Sequence, residues 1–264
     1  MRDDAMGEGA PVRVRRDGGV AYLVLDRPAQ LNALSQELLL GLRDALKRLA
    51  DDDGLRAVVV SGNGRAFCAG HDLKEMLAAD DIDAHRTLFA LCSQVMQAIV
   101  ALPVPVIAKV HGIATAAGCQ LVASCDLALA GQSARFATSG INAGLFCSTP
   151  AVALSRNVAA KRAFEMLVTG DFIDAAKAAD WGLVNAAVPD DALDAAVDRL
   201  VASILAKSPA AIRYGKALFH RQLGLSLADA YGQAGEVMAC NMMEADAREG
   251  ISAFVEKRQP VWQS

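Results

Sequence analysis

Hydrophobic and polar residues follow two different periods along the first half of the chain. Apolar residues at Val12 to Val14 and at Val20 to Leu25, joined by the turn Asp17-Gly-Gly19, predict a β-hairpin. After Ser35, which is placed to cap a helix, apolar residues recur at helical spacing from Leu38 to Leu49. Further strands are predicted at 57–60, 106–110 and 126–130, and a long helix is predicted from about Asp80 to the prolines at 103 and 105. This alternation of strands and helices indicates an α/β fold.

The second half of the chain is predicted to be mostly helical, because strand patterns almost vanish after Phe136. Helical patterns begin near Thr149, Ala159, Ala175, Asp191, Pro209, Ser226 and Glu244. One sheet cannot cover that much helix. We therefore expect the C-terminal helices to pack on neighbouring subunits as well as on their own core.

Composition excludes several classes of function. The chain has 264 residues, of which 53% are hydrophobic, and a net charge of −4, which gives no electrostatic basis for binding nucleic acid. No apolar run approaches the ~18 residues that a membrane span needs, and no secretory signal is recognised. Six cysteines without a Cys-x-x-Cys pair predict buried, reduced thiols, and no metal site is expected. The expected location is the cytoplasm.

The most informative segments are two turns rich in Gly and Ala, at residues 61–73 and 111–120. Each follows a predicted strand and leads into a predicted helix, an arrangement that directs backbone N–H groups at an anion. Phe67 stands where a dinucleotide fingerprint needs its third Gly, and the chain contains no P-loop or nucleophile-elbow sequence. Our interpretation is that the two turns converge on one developing oxyanion. A plain strand–turn–helix junction is the alternative.

Several motifs together resemble the crotonase (enoyl-CoA hydratase/isomerase) superfamily. They are Arg27-Pro28, Asn32-Ala33-Leu34, Gly64 to Asp72, His111-Gly112, Gly118-Cys119 and Cys125-Asp126, and the likeness extends from about Val12 to the C-terminus. Segments 137–150 and 250–262 resemble the branch called enoyl-CoA hydratase domain-containing protein 3. The resemblance implies an α/β fold in which ββα turns form a spiral, with a helical C-terminal region that forms homotrimers or dimers of trimers. Residues 1–10 are polar and contain Gly, so we expect a disordered tail there. The resemblance then implies a spiral core at 11–200 and a helical region at 201–264.

The same resemblance implies an acyl-CoA thioester as the ligand, within fatty-acid metabolism, and a pair of backbone N–H groups that polarise the thioester oxygen. By motif position these N–H groups belong to His71 and Ala117. The positions expected to contact substrate or CoA are Arg27, Ala33, Leu34, Ala66, Phe67, Ala69, Gly70, Asp72, Leu73, Gly118 and Ser139. No separate cofactor is expected, because coenzyme A enters as part of the substrate.

The sequence departs from the hydratases of this family at both catalytic glutamates, whose positions match Gln120 and Gly140. A Gln side chain cannot hold or release a proton near neutral pH, and Gly has no side chain. Because each general acid or base is worth roughly 10²–10⁴-fold, we expect weak or altered hydratase chemistry. The His71 ring and the thiols of Cys119 and Cys147 are candidate replacements, although each residue type is more often simply packed.

Two functions therefore stay open. The first is a hydratase-like lyase that stabilises the enolate of an acyl-CoA thioester. The second is a non-catalytic acyl-CoA-binding or regulatory protein that keeps the pocket without the proton-transfer groups. A purely structural subunit is the weakest alternative, because nothing demands small residues throughout 114–118 unless a ligand lies against them.

Overall fold

The computed structural model describes residues 10–263, so the predicted tail at 1–10 lies outside the described residues except for Ala10. The strands are β1 (Val12–Asp17), β2 (Val20–Leu25), β3 (Ala57–Gly62), β4 (Val106–Val110), β5 (Ile113–Thr115), β6 (Leu127–Gly131), β7 (Arg135–Ala137), β8 (Ile173–Asp174) and β9 (Ala186–Val188). The helices are α1 (Gln36–Ala50), α2 (Leu73–Ala78), α3 (Ile82–Ala101), α4 (Ala117–Ser124), α5 (Ser148–Leu154), α6 (Ala160–Thr169), α7 (Ala175–Asp180), α8 (Leu193–Leu205), α9 (Pro209–Gln222), α10 (Leu227–Met242) and α11 (Ala245–Glu256). Short 3-10 turns lie at Pro28–Gln30, Ser139–Ala143 and Asp190–Ala192.

Six of the described strands form the main sheet, in the order β1-β2-β3-β4-β6-β9. The first pair is the antiparallel hairpin that the sequence predicts, and every other neighbouring pair is parallel. Because β3 and β4 run parallel, the segments that follow them leave the sheet at the same edge. Those two segments contain the small-residue turns.

The side chains on the two faces of this sheet belong to separate hydrophobic cores. Val58 and Val60 pack with the apolar faces of α1 and α3 on one side. Val59 and Ile107 pack against α8 on the other side. Burial on both faces explains why these strands are continuous apolar runs in the sequence.

Helix α1 forms as its sequence predicts. The Ser35 hydroxyl accepts a hydrogen bond from the N–H of Leu38 at 3.2 Å, which satisfies one of the free donors in the first turn. The predicted apolar positions from Leu38 to Leu49 are all buried against the sheet. The predicted N-cap and core face of this helix are therefore confirmed.

A second sheet, which the sequence does not predict, contains β5, β7 and β8. Strands of two or three residues have no hydrophobic period of their own, so only pairing with distant residues creates them. The parallel pairing of β5 with β7 sets Thr115 opposite Ala137. It also brings the hydroxyl oxygens of Thr115 and Ser139 to 2.7 Å from each other.

Helix α9 is attached to the rest of the chain through a buried charged cluster. The Lys216 ammonium donates to the Asp126 carboxylate at 2.7 Å and to the carbonyls of Ile99 and Val104 at 3.0 and 2.9 Å. The second carboxylate oxygen of Asp126 lies 2.7 Å from Nε2 of His220. Burial lowers the pKa of Lys216, and the Asp126 charge opposes that effect.

Helix α10 buries none of its residues within the described part of the chain. Its apolar residues are among the most exposed in the molecule, with Leu227, Tyr231 and Met238 at 75%, 74% and 72%. The predicted division after residue 200 falls inside α8 and stays a prediction. No helix in residues 10–263 combines the length and the hydropathy needed to cross a membrane.

Candidate active site

The two small-residue turns are joined directly by main-chain hydrogen bonds. The N–H of Cys68 donates to the carbonyl of Ile113, and the N–H of Thr115 donates to the carbonyl of Cys68, both at 3.0 Å. On its other side the first turn pairs with Leu34, whose N–H donates to the carbonyl of Gly70 at 2.7 Å. The predicted site residues 66–73 and 114–118 are therefore brought together.

Gly70 lets the first turn lie against the start of helix α4. It adopts a φ of +92°, which favours glycine, and a Cβ placed on it would lie 3.4 Å from the Ala117 nitrogen and 2.9 Å from the Ala116 Cβ. Gly118 is equally constrained, since a Cβ there would overlap the Cys68 carbonyl. Small residues at these positions allow the peptides of His71 and Ala117 to be neighbours.

Within residues 10–263, neither the N–H of His71 nor that of Ala117 donates to a main-chain carbonyl. Ala117 is the first residue of α4, where N–H groups lack an intrahelical acceptor. His71 forms a parallel bridge with Leu34, and Leu34 bonds to the residues on either side of His71, namely to the carbonyl of Gly70 and the N–H of Asp72. The N–H of His71 itself therefore points away from Leu34. That the two N–H groups act together on one oxygen stays a prediction.

Ala116 has a strained backbone at the junction between the turn and α4. Its φ of 51° and ψ of −119° lie in a region that residues with a Cβ rarely adopt. Such a conformation costs on the order of 1–3 kcal/mol and occurs preferentially at functional sites. The surrounding pairs hold it in place, including the bond from the Ala116 N–H to the Ala137 carbonyl at 3.0 Å.

Gln120 lies one turn further along α4, on the helix face that also carries Ala117. Its side chain is buried, with 4% of the residue exposed, and Oε1 accepts no hydrogen bond from any described group. A buried acceptor without a donor costs roughly 1–3 kcal/mol. The position that the resemblance matches to the first family glutamate thus holds a buried amide oxygen without a donor among the described residues.

The second position, Gly140, lies in the 3-10 turn Ser139–Ala143. A Cβ built there would lie 2.8 Å from both the Cys147 Sγ and the Leu145 carbonyl oxygen. A side chain at residue 140 would therefore have to displace the segment 145–147. The neighbouring Ser139 hydroxyl is engaged with Thr115.

The His71 ring is packed against Phe89, with the ring centres 5.5 Å apart at an interplanar angle of 69°. Both ring nitrogens are shielded from solvent and have no hydrogen-bond partner among the described residues. Burial lowers the pKa of this ring, so it is neutral at pH 7. A neutral ring offers one donor and one acceptor, and the backbone of Leu34, which partly opposes the lowering of the pKa, lies beside it.

The thiols considered as replacement nucleophiles are buried. Burial raises the pKa of Cys119 to about 12 and also raises the pKa of Cys147. Protonated thiols of this kind are poor nucleophiles. Among residues 10–263, no group of three His, Cys, Asp or Glu side chains could hold a metal ion.

The predicted CoA-side residues are connected by one arginine. Arg27 donates to the carbonyl of Ala33 at 2.8 Å and contacts the Asp72 carboxylate at 3.3 Å. Asp72 also caps α2 by accepting from the N–H of Lys74 at 3.1 Å. Leu73, the first residue of α2, is 60% exposed.

The segment that contains Ala66 and Phe67 is held by Asn32, a role that was not predicted from the sequence. Asn32 is fully buried at a φ of 54°, and its amide donates to the carbonyls of Asn63 and Ala66 at 2.9 and 2.8 Å. The side chains of Ala66 and Phe67 are buried as well, so a ligand would meet this segment mainly through its backbone. Ala69 donates its N–H to the carbonyl of Leu31 at 3.0 Å. Asparagine adopts the left-handed conformation more readily than most residues, so its presence at position 32 was the available sequence signal for this role.

Comparison with known proteins gives a consistent result. The profile of the family described as Enoyl-CoA hydratase/isomerase matches residues 15–264. The Enoyl-CoA hydratase domain-containing protein 3 of Xenopus laevis is 45% identical over 249 residues, which cover 94% of this chain and 85% of that protein.

Two solved structures extend the comparison to three dimensions. An enoyl-CoA hydratase from Mycobacterium smegmatis is 56% identical, with a TM-score of 0.95 over 96% of this chain and 99% of that chain. Human enoyl Coenzyme A hydratase domain-containing protein 3 is 44% identical, with a TM-score of 0.93 over 96% of this chain and 100% of that chain. The crotonase-like α/β fold predicted from the sequence is confirmed.

The cytoplasmic location expected from the sequence is wrong. The curated relatives from Xenopus laevis and Homo sapiens, 45% and 44% identical, are both named as mitochondrial proteins. The cytoplasm was expected only because no targeting signal was recognised, and no residue pattern supported that expectation.

Proposed function

We propose, since this chain belongs to the enoyl-CoA hydratase/isomerase family, that it binds an acyl-CoA thioester and holds the thioester oxygen between the N–H groups of His71 and Ala117. The observation that carries the proposal is the pair of adjacent turns in which neither N–H has a main-chain acceptor among the described residues. Negative charge on the thioester oxygen grows when a nucleophile adds to the acyl chain or a proton leaves it. Donors fixed in advance stabilise that charge more than they stabilise the ground state.

The proposed chemistry is weak or altered hydratase activity. The oxyanion N–H groups would each contribute roughly 3–4 kcal/mol to stabilising the enolate, and the N-terminus of α4 adds favourable potential. The amide of Gln120 would position water or the acyl group without exchanging protons. Because residues 120 and 140 supply no carboxylate, the protons needed for fast hydration have no local source there.

The test is hydration of crotonyl-CoA and longer 2-enoyl-CoA substrates, followed by loss of the conjugated thioester absorbance. The variant Ala117→Pro removes one proposed donor at the first helical position; because the unusual backbone of Ala116 precedes it, the variant is compared only after its fold is confirmed by circular dichroism. A matched control is Ala160→Pro, which places proline at the first position of α6, far along the chain from both turns. We expect turnover to fall roughly 10²–10³-fold in the first variant and to stay unchanged in the control. Wild-type turnover no faster than that of a folded Ala117→Pro protein would reject the enzymatic proposal.

A non-catalytic acyl-CoA-binding protein is the second candidate, and the closed space at Gly140 favours it. Tight binding of acyl-CoA by calorimetry, together with no turnover of any thioester, would support this alternative. Restoring both carboxylates tests the positions assigned to them. Because Cys147 Sγ occupies part of the space that a side chain at 140 needs, the restoring variant should combine Gln120→Glu and Gly140→Glu with Cys147→Ala, and the main chain at Leu145 must also shift to admit it. A folded, CoA-binding triple variant that stays inert would contradict the assignment of these positions.

We further propose that the chain forms a homotrimer or a dimer of trimers through its C-terminal helices. The support is the exposed apolar face of α10 and the adjoining groove of about 470 Å³, lined by residues of α9 and α10 that include Phe219, Leu227 and Tyr231. Exposed apolar surface on this scale is typical of interaction sites. Light scattering should give three or six times the chain mass of 27.6 kDa. A monomer at micromolar concentration would contradict the proposal.

A further inference from the structure

We infer that Ala116 is a positioning residue, whose methyl group and strained backbone fix the separation and the direction of the two proposed oxyanion donors. The inference rests on the proposed function and concerns how the site is kept ready for its ligand. Its starting point is a mismatch between this residue and its conformation. Ala116 carries a Cβ, yet its φ of 51° and ψ of −119° match the first central position of a type II′ turn, which favours glycine.

Two other residues with a positive φ show what a less strained conformation would require. Leu31 and Lys257 have ψ values of 34° and 37°, in the left-handed region that residues with a Cβ can adopt. To reach that region, Ala116 would have to turn the peptide between residues 116 and 117 by nearly half a turn. The N–H of Ala117 would then point the opposite way. The strained conformation is therefore the one that directs this donor at the proposed site.

Hydrogen bonds on both sides of Ala116 hold this peptide in its orientation. Ala116 donates its N–H to the carbonyl of Ala137, and its own carbonyl accepts from the N–H of Gln120, both at 3.0 Å. The C=O and N–H groups of a trans peptide point in opposite directions. The bond from Gln120 therefore directs the N–H of Ala117 out of the start of α4.

The methyl group of Ala116 lies between the two turns. A Cβ built on Gly70 would lie 2.9 Å from the Ala116 Cβ, so this methyl group fills part of the space that a side chain of Gly70 would need. Gly70 precedes His71 and Ala116 precedes Ala117, so one methyl group borders both peptides that carry the proposed donors.

A glycine at position 116 would have the opposite properties. It would adopt the observed conformation without strain, but it would leave the space beside Gly70 empty and give the following peptide more freedom. Alanine therefore lowers the stability of the fold while it restricts the movement of the donors. Donors fixed in advance are what stabilisation of an oxyanion requires, and strained residues are retained at sites where they serve such a purpose.

The variant Ala116→Gly tests the inference with two CoA derivatives. Acetoacetyl-CoA forms an enolate whose absorbance reports on the oxyanion donors, whereas S-butyl-CoA is a thioether and has no carbonyl oxygen. We expect Ala116→Gly to bind acetoacetyl-CoA roughly tenfold more weakly, with less of it as the enolate, and to bind S-butyl-CoA within about twofold of the wild type. The urea midpoint of the variant should equal or exceed that of the wild type, because the strain is removed.

The matched control is Lys257→Gly, which introduces glycine at another position of positive φ. Lys257 follows the last residue of α11 and lies outside both turns. This variant should bind both CoA derivatives as the wild type does.

The outcomes separate this inference from the function on which it rests. If the wild-type protein does not bind acetoacetyl-CoA, the proposed function fails and the inference fails with it. If the wild type binds it and Ala116→Gly either binds it equally well or loses affinity for both compounds alike, acyl-CoA binding stands and the positioning role is refuted. A urea midpoint well below that of the wild type would contradict the strain assigned to Ala116. A selective loss of acetoacetyl-CoA affinity at an unchanged or higher midpoint supports the inference.

Discussion

The substitution Asp126→Asn should weaken the attachment of helix α9 to the rest of the chain and lower the stability of the protein. In the wild-type protein the Asp126 carboxylate accepts from the Lys216 ammonium and from the N–H of Val106, both at 2.7 Å. Asparagine keeps the size of the side chain and one acceptor oxygen but removes the negative charge. The Lys216 ammonium then stays buried without a negative partner, with the carbonyls of Ile99 and Val104 and one amide oxygen as its acceptors.

The magnitude follows from how little water reaches this pair. The Lys216 and Asp126 side chains are 6% and 15% exposed, so solvent screens their attraction only weakly. Removing one partner of such a buried pair typically costs about 3–5 kcal/mol. For a chain of this size that corresponds to a decrease of roughly 6–20 °C in the melting temperature.

Chemical denaturation at several protein concentrations is the assay, since assembly would add to the apparent stability. The matched control is Asp194→Asn, which breaks a pair of the same length, 2.7 Å to Lys109, whose side chains are 79% and 29% exposed. We expect the control to lose less than about 1 kcal/mol. Equal effects of the two substitutions, or a loss below about 1 kcal/mol in Asp126→Asn, would refute the argument from burial.

The pH dependence gives an independent check on the same variant. Burial already lowers the pKa of Lys216 below 10.5, and loss of the Asp126 charge should lower it further. Between that lowered pKa and 10.5 the unfolded chain binds more protons than the folded one, so stability rises with pH in this window. Part of the loss in Asp126→Asn should therefore be recovered as the pH is raised through the lowered pKa toward 10.5.

Two further predictions concern the site. Burial lowers the pKa of His71 below 6.5, so just below pH 6.5 the unfolded chain binds more protons than the folded chain. The stability should therefore fall as the pH drops below 6.5. In His71→Gln the urea midpoint should change less between pH 7 and pH 5 than it does in the wild-type protein. An equally large change in the variant would contradict the burial of the ring. Gly118→Ala should cost about 1–3 kcal/mol and weaken acyl-CoA binding, because its Cβ overlaps the Cys68 carbonyl. The control Gly215→Ala, in α9 with open space around it, should be neutral or stabilising; equal destabilisation of both would contradict the packing argument.

The long elements were predictable because each is encoded by its own residues. Helix α1 begins at its Ser35 cap and buries the predicted apolar face, and the hairpin of β1 and β2 forms around its glycine turn. A helical period indicates that one face of a helix is buried, and a run of β-branched residues indicates a strand that is buried on both faces. Both patterns are present in the sequence whichever element finally covers those faces. The same reasoning placed the two small-residue turns at strand ends, where ligand sites of α/β proteins lie.

Tertiary structure alone decided the features that depend on residues far apart in the chain. The strands β5, β7 and β8 exist only because they pair with one another, and Lys216 meets Asp126 across 90 residues. The sequence showed that residue 140 is a glycine, but only the folded chain places the Cys147 sulfur where a side chain of residue 140 would lie. Local sequence specifies the backbone preferences and the side-chain chemistry at each position. Which buried groups find partners, and which remain unpaired like Gln120, is determined by long-range packing that no single segment encodes.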